Sequence, residues 1–119
     1  MNTATQTIDL IYESLANRFY EMDYKTYSTY YLGRNKTYYS YLKSSHASVS
    51  IEAFFNLYVT LMYEEEMAKE RILEADDRDL QRICQSRAEY FGEMKHTALT
   101  GLLETAYERL EEQKEDDVY

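Results

Sequence analysis

An all-α fold of about five helices is what this chain predicts, on three observations. Proline is absent and glycine occurs only three times in 119 residues, so little interrupts a helical run. Apolar residues recur every three or four positions along most of the length. The part from Ile51 onward is dense in Leu, Glu, Ala, Met, Lys and Arg, which are strong helix formers. The expected layout is a unit of short helices over 1–62 and a long antiparallel helical hairpin with an acidic tail over 63–119, within one compact domain.

The first helix is expected from about Ala4 to Tyr24, with Ile8, Ile11, Leu15, Phe19 and Met22 on one stripe and Asp9 placed early, where an acid complements the helix dipole. A short second helix covers Thr26 to Leu32, and Gly33 supplies the positive φ of a tight Leu32-Gly33 reversal. Asn35 then caps a third helix from Lys36 to Ser44, with Tyr39 and Leu42 inward. Ser44 to Ser48 form a polar loop, and Ser48 or Ser50 caps a fourth helix with Ile51, Phe54, Phe55, Tyr58, Leu61 and Met62 on its stripe.

The Asp76-Asp77-Arg78-Asp79 cluster breaks the pattern and offers caps for a last helix of about thirty residues. That helix carries Leu80, Cys84, Phe91, Met94, Ala98, Leu102 and Leu110 at near-heptad spacing, more apolar length than one partner within the chain can cover. A homodimer through this C-terminal helix is therefore expected. Gln113 to Tyr119 reads as an acidic, frayed tail.

Charge is segregated. Lys25 to Ser50 contains no Asp or Glu but holds Lys25, Arg34, Lys36 and Lys43, a local +4 in a chain of −9, which leaves −13 on the remainder. Neutralising phosphates needs cations and hydroxyl or amide donors on one surface, and reading bases needs side chains such as Asn, Ser and Thr. This segment has both. Eight of the fourteen tyrosines also lie in or beside it. Tyr30, Tyr31 and Tyr39 read as core, while Tyr38 and Tyr41 fit core or contact surface equally.

Leu32-Gly33, then Asn35 to Leu42, then Val49-Ser50-Ile51-Glu52-Ala53-Phe54 and Leu57, resembles the Cro/C1-type repressor helix-turn-helix over roughly residues 25–61. The likeness implies a recognition helix at 36–44 that enters the major groove of double-stranded DNA, and a non-enzymatic transcriptional regulator of phage or bacterial type. It implies that Gly33 is the turn glycine, that Ser50 caps the next helix, and that Arg34, Asn35, Lys36, Thr37, Ser40, Tyr41, Lys43 and Ser44 form the DNA-facing set. Departures are Arg34 in place of a small apolar residue, Thr29 in place of alanine and Val49 in place of proline.

A second reading takes the acids as the active surface. In it the chain is a phage-type inhibitor, anti-CRISPR or DNA-mimic-like, or an adaptor, whose carboxylates meet a partner with a basic surface; Glu64, Glu65, Glu66, Glu70, Glu74, Asp76, Asp77 and Asp79 cluster around the hairpin turn. Enzyme chemistry finds little support. Glu93 and His96 have di-iron spacing, but the motif occurs once; Cys84 lies on an apolar face with no basic cluster nearby; and no glycine-rich phosphate loop exists. No catalytic residue, metal ligand or cofactor is assigned. One cysteine, no signal-peptide pattern and no apolar run of membrane length predict a cytoplasmic protein without membrane contact.

Overall fold

The computed structural model describes residues 3–117 and is all-α. Helix α1 spans Thr3–Arg18, a single turn α2 spans Tyr24–Thr26 and runs into a π-helical turn at Tyr27–Tyr31, and α3 spans Tyr38–Ser45. Two long helices follow, α4 at Ile51–Glu74 and α5 at Arg78–Asp117. The molecule measures 64 × 27 × 21 Å. Forty residues of α-helix extend about 60 Å, so α5 alone spans it.

Antiparallel α4 and α5 form the predicted hairpin, with α1 packed against α5 on one side. Ile8, Ile11 and Leu15 of α1 are fully buried with Phe54, Leu57 and Leu61 of α4 and Phe91 and Ala98 of α5. Phe19 stacks on Phe91 at 5.7 Å. A Cβ on Gly101 would meet the Phe54 ring at 2.8 Å and the Thr7 methyl at 2.9 Å, so α1, α4 and α5 cross there too closely for any side chain.

Boundaries differ from the sequence expectation in ways that have local causes. Helix α1 stops at Arg18 rather than Tyr24, because the chain turns through Met22 N–H to Phe19 carbonyl (2.9 Å) and Asp23 caps a new helix by accepting from Thr26 N–H at 2.7 Å. The second helix starts earlier and winds wider, with Leu32 N–H reaching the Tyr27 carbonyl at 2.9 Å in π spacing. The third begins at Tyr38, since Asn35 Oδ1 accepts from both the N–H and the hydroxyl of Thr37 and holds Lys36 and Thr37 in a turn. Asp9 lies beyond the first turn and serves the tertiary structure instead.

The boundary drawn at 62 falls inside the unbroken α4. Asp77 begins α5 as expected, accepting from Asp79 N–H at 2.8 Å. The last helix is longer than expected and carries the anticipated tail within it as far as Asp117; Val118 and Tyr119 lie outside the described residues. Phe91 and Ala98 are buried, and Met94 and Leu102 pack on the core, so α1 and α4 consume most of the stripe assigned to a dimer; Leu110 stays half exposed. No helix among the described residues is long and apolar enough to cross a membrane.

Candidate nucleic-acid interface

Tyrosine rings carry α3. Tyr39 is buried on Tyr12, Tyr24 and Tyr27, with centroids 4.8 to 5.0 Å away. The phenol of Tyr27 donates to the Ile8 carbonyl at 2.7 Å, and that of Tyr39 donates to Asp9 Oδ1 at 2.6 Å, which ties both rings to α1. Burial is the main reason that Tyr27, Tyr31 and Tyr39 hold their protons well above the ordinary tyrosine range, and the Asp9 carboxylate adds to it at Tyr39.

Ser28 is the hinge of the unit. It is fully buried, donates to the Tyr24 carbonyl at 2.7 Å, and accepts the Tyr39 N–H at 3.0 Å. Thr37, the residue before α3, makes no side-chain cap, so a serine on the preceding element satisfies an orphan donor of α3 instead. Gly33 takes φ +63° as expected, and a side chain there would collide with Asn56, whose amide donates to the Leu32 carbonyl at 3.3 Å. Ser50 caps α4 through Ala53 N–H at 3.1 Å.

Among the assigned DNA-facing residues, Ser40, Tyr41, Lys43 and Ser44 lie on the exposed face of α3. Asn35, Lys36 and Thr37 are exposed in the preceding turn, outside the recognition helix where they were expected. Asn35 and Thr37 are bonded to each other. Arg34 departs furthest: its guanidinium donates to Ser50 Oγ at 2.9 Å, pairs with Glu52 at 3.6 Å and lies over the Tyr38 ring at 5.9 Å, which makes it a brace between the turn and α4. Lys43 reaches Asp9 at 3.8 Å. Lys25 and Lys36 make no ion pair among the described residues.

Of the open tyrosines, Tyr38 is half-buried and accepts Ser50 N–H at 3.3 Å, whereas Tyr41 is exposed. Tyr30, read as core, is 45% exposed and anchors by donating to Glu64. Sequence reasoning missed Ser28, and it missed the tertiary partners of Asp9 and Glu52. Glu52 lies 18 residues from Arg34 and Asp9 30 residues from Tyr39, and no local pattern announces such partners.

The acidic hairpin turn lies at the far end of α4, about 36 Å from Ser50 by helical rise. The C-terminal half of α5 returns toward α3: Arg109 approaches the Val49 carbonyl at 3.4 Å, and Glu108 and Glu112 line a small cleft with Ser48 and Thr105. Around Glu93 and His96, and elsewhere among the described residues, no group of three or more His, Cys, Asp or Glu side chains is placed to share a metal ion.

No curated protein and no solved structure matches the chain. A family model does, over residues 8–106, which takes in every element from α1 to most of α5. The chain belongs to the family of unknown function DUF6626.

Proposed function

We propose that the protein is a non-enzymatic DNA-binding regulator of phage or bacterial repressor type, and that α3 with its preceding turn contacts the major groove. One observation carries the reading. The exposed face of α3 presents Ser40, Tyr41, Lys43 and Ser44 beside Lys36, with no carboxylate on that helix or in the turn before it. The acidic hairpin turn lies about 36 Å away, several Debye lengths off, and the carboxylates nearer to hand include Asp9, paired with Lys43, and Glu52, paired with Arg34. Lys25, Lys36 and Lys43 then serve phosphates, Ser40, Ser44 and Tyr41 meet base edges or sugars, and Arg34 shapes the turn.

Fluorescence anisotropy on random and operator-bearing duplexes tests this. Affinity is expected to fall with added salt at a log-log slope of about −2 to −3 per chain, as three phosphate contacts dictate. Lys36→Glu with Tyr41→Ala should abolish binding while circular dichroism stays unchanged. Binding unaltered in that variant sinks the proposal.

The exposed acids of the hairpin turn support the other reading, an inhibitor or adaptor. Such a protein ignores duplex at every salt concentration, binds a basic partner, and loses it on Glu66→Gln with Glu70→Gln and Glu74→Gln.

A further inference from the structure

The three lysines of the proposed duplex-facing surface are not in the same state. Lys25 and Lys36 are exposed and make no ion pair among the described residues. Lys43, on the last turn of α3, is held: its ammonium lies 3.8 Å from Asp9 Oδ2 on α1 and 5.9 Å from the centre of the Tyr39 ring.

Asp9 is fixed for this contact. Its other oxygen, Oδ1, accepts the Tyr39 phenol O–H at 2.6 Å, and Tyr39 is itself buried and bonded through its N–H to Ser28. The carboxylate is thus anchored by one oxygen and faces Lys43 with the other, so little of its freedom remains to be lost when the pair forms. Solvent still reaches both partners, since 40% of the Lys43 side chain and 30% of the Asp9 side chain are exposed. A pair in that position is weak enough for a second anion to break.

A duplex phosphate is such an anion. It carries one charge on oxygen acceptors, as Asp9 does, and a lysine ammonium is a compact point charge that swings on a flexible stem toward one or the other. Asp9 and a phosphate therefore compete for one cation. Neither α3 nor the turn before it has a carboxylate of its own, so among the three lysines the competition falls on Lys43.

We infer that Asp9 is a built-in competitor for duplex phosphate, which holds Lys43 in the free protein and sets how much that lysine adds to binding. The inference rests on the proposed DNA-binding role of α3. It places a determinant of affinity on α1, outside the basic segment from Lys25 to Ser50.

Anisotropy with a random-sequence duplex at low salt tests it on the full chain. Asp9→Asn removes the charge and keeps an oxygen for the Tyr39 phenol, so helical content should hold while affinity rises about fivefold. The log-log salt slope should steepen, by no more than the about 0.9 of one full phosphate contact. Glu13→Gln, one turn further along α1 and in no ion pair among the described residues, should gain under about twofold from the same change of charge. In the parent, Lys43→Gln should lose under about twofold and Lys36→Gln about fivefold; with Asp9→Asn in place, Lys43→Gln should also lose about fivefold. The comparison of the two lysines leaves Asp9 and Tyr39 untouched, so it decides the matter even if Asp9→Asn disturbs α3. Equal gains from Asp9→Asn and Glu13→Gln, or equal losses from Lys43→Gln and Lys36→Gln in the parent, overturn the inference and leave the DNA-binding reading standing. A parent chain that ignores duplex at every salt concentration overturns both.

Discussion

The two halves of this molecule are stabilised by different chemistry. From α1 to α3, short elements are held by buried tyrosines and serines that both fill space and complete hydrogen bonds: Tyr27 to Ile8, Tyr39 to Asp9, Ser28 to Tyr24 and Tyr39. In the hairpin, two long helices meet through apolar side chains, and among the described residues one carboxylate is buried, Glu65, bonded by Lys95 at 2.6 Å. Removing atoms from a packed helix interface costs transfer energy plus a cavity. Removing a hydroxyl in the first half strands its partner without water. The comparison teaches that a helix of eight residues can be positioned for surface contact only when neighbouring elements cap and pack it, because such a helix has little stability of its own.

The largest effect tests the hairpin. Phe91→Ala deletes a fully buried ring that stacks on Phe19 and underlies the crossing of α1 with α5, and should cost about 3–5 kcal/mol in urea unfolding. A loss under about 1 kcal/mol would show that the core collapses around the gap, and would break the contrast between packed and bonded halves.

Next comes Ser28→Ala, which removes few atoms but leaves the buried Tyr39 N–H without an acceptor. It should cost about 1–3 kcal/mol. Amide exchange sharpens the point: the Tyr39 proton should lose protection more than any amide of α4. Uniform loss across both halves would mean that Ser28 contributes global stability and has no particular hold on α3.

How far the sequence reveals each half follows from the same contrast. The hairpin is legible because its signal is periodic: the apolar stripes, the Ser50 cap and the Asp77 break all appear locally. In the N-terminal half, Gly33 and the inward placement of Tyr39 and Leu42 are legible for the same reason. The π turn, the end of α1 at Arg18 and the role of Arg34 are not, since each depends on a partner remote in sequence or on competition between side chain and backbone for one donor. The surface assigned to DNA is read from charge, hydroxyl content and the likeness to a repressor helix-turn-helix. Three-dimensional neighbours then sort it, removing Arg34 to a structural task and leaving Lys36, Ser40, Tyr41, Lys43 and Ser44 outward.

Alkali should separate the halves again. Tyr27, Tyr31 and Tyr39 have folded pKa values raised above the unfolded value near 10, chiefly by burial. The folded state therefore keeps protons that the unfolded chain releases, so their contribution is whole below about pH 10 and is lost as pH rises from there toward the folded values. Thermal midpoints measured between about pH 9 and about pH 11.5 should drop steeply, and the last part of the tyrosinate absorbance, which belongs to the buried rings, should appear together with unfolding. A tyrosinate signal that reaches completion well before helix loss would show that the cluster ionises in place and is solvated.

The smallest expected effect lies where the halves meet. Glu108 and Glu112 of α5 line the cleft that also contains Ser48 and Val49, just after α3, so among the described residues they are carboxylates of the hairpin's returning end that face this region. If α3 contacts phosphate, these charges oppose the approach of a duplex through solvent, which confines their influence to about one Debye length. Glu108→Gln with Glu112→Gln should then raise duplex affinity about two- to fivefold at low salt, worth less than about 1 kcal/mol, with the gain fading as salt is added. The fold should be unchanged, since both side chains are exposed. A gain that does not vary with salt would mean that the substitutions act by reshaping the cleft around Arg109, and no change at low salt would place the duplex elsewhere than on α3.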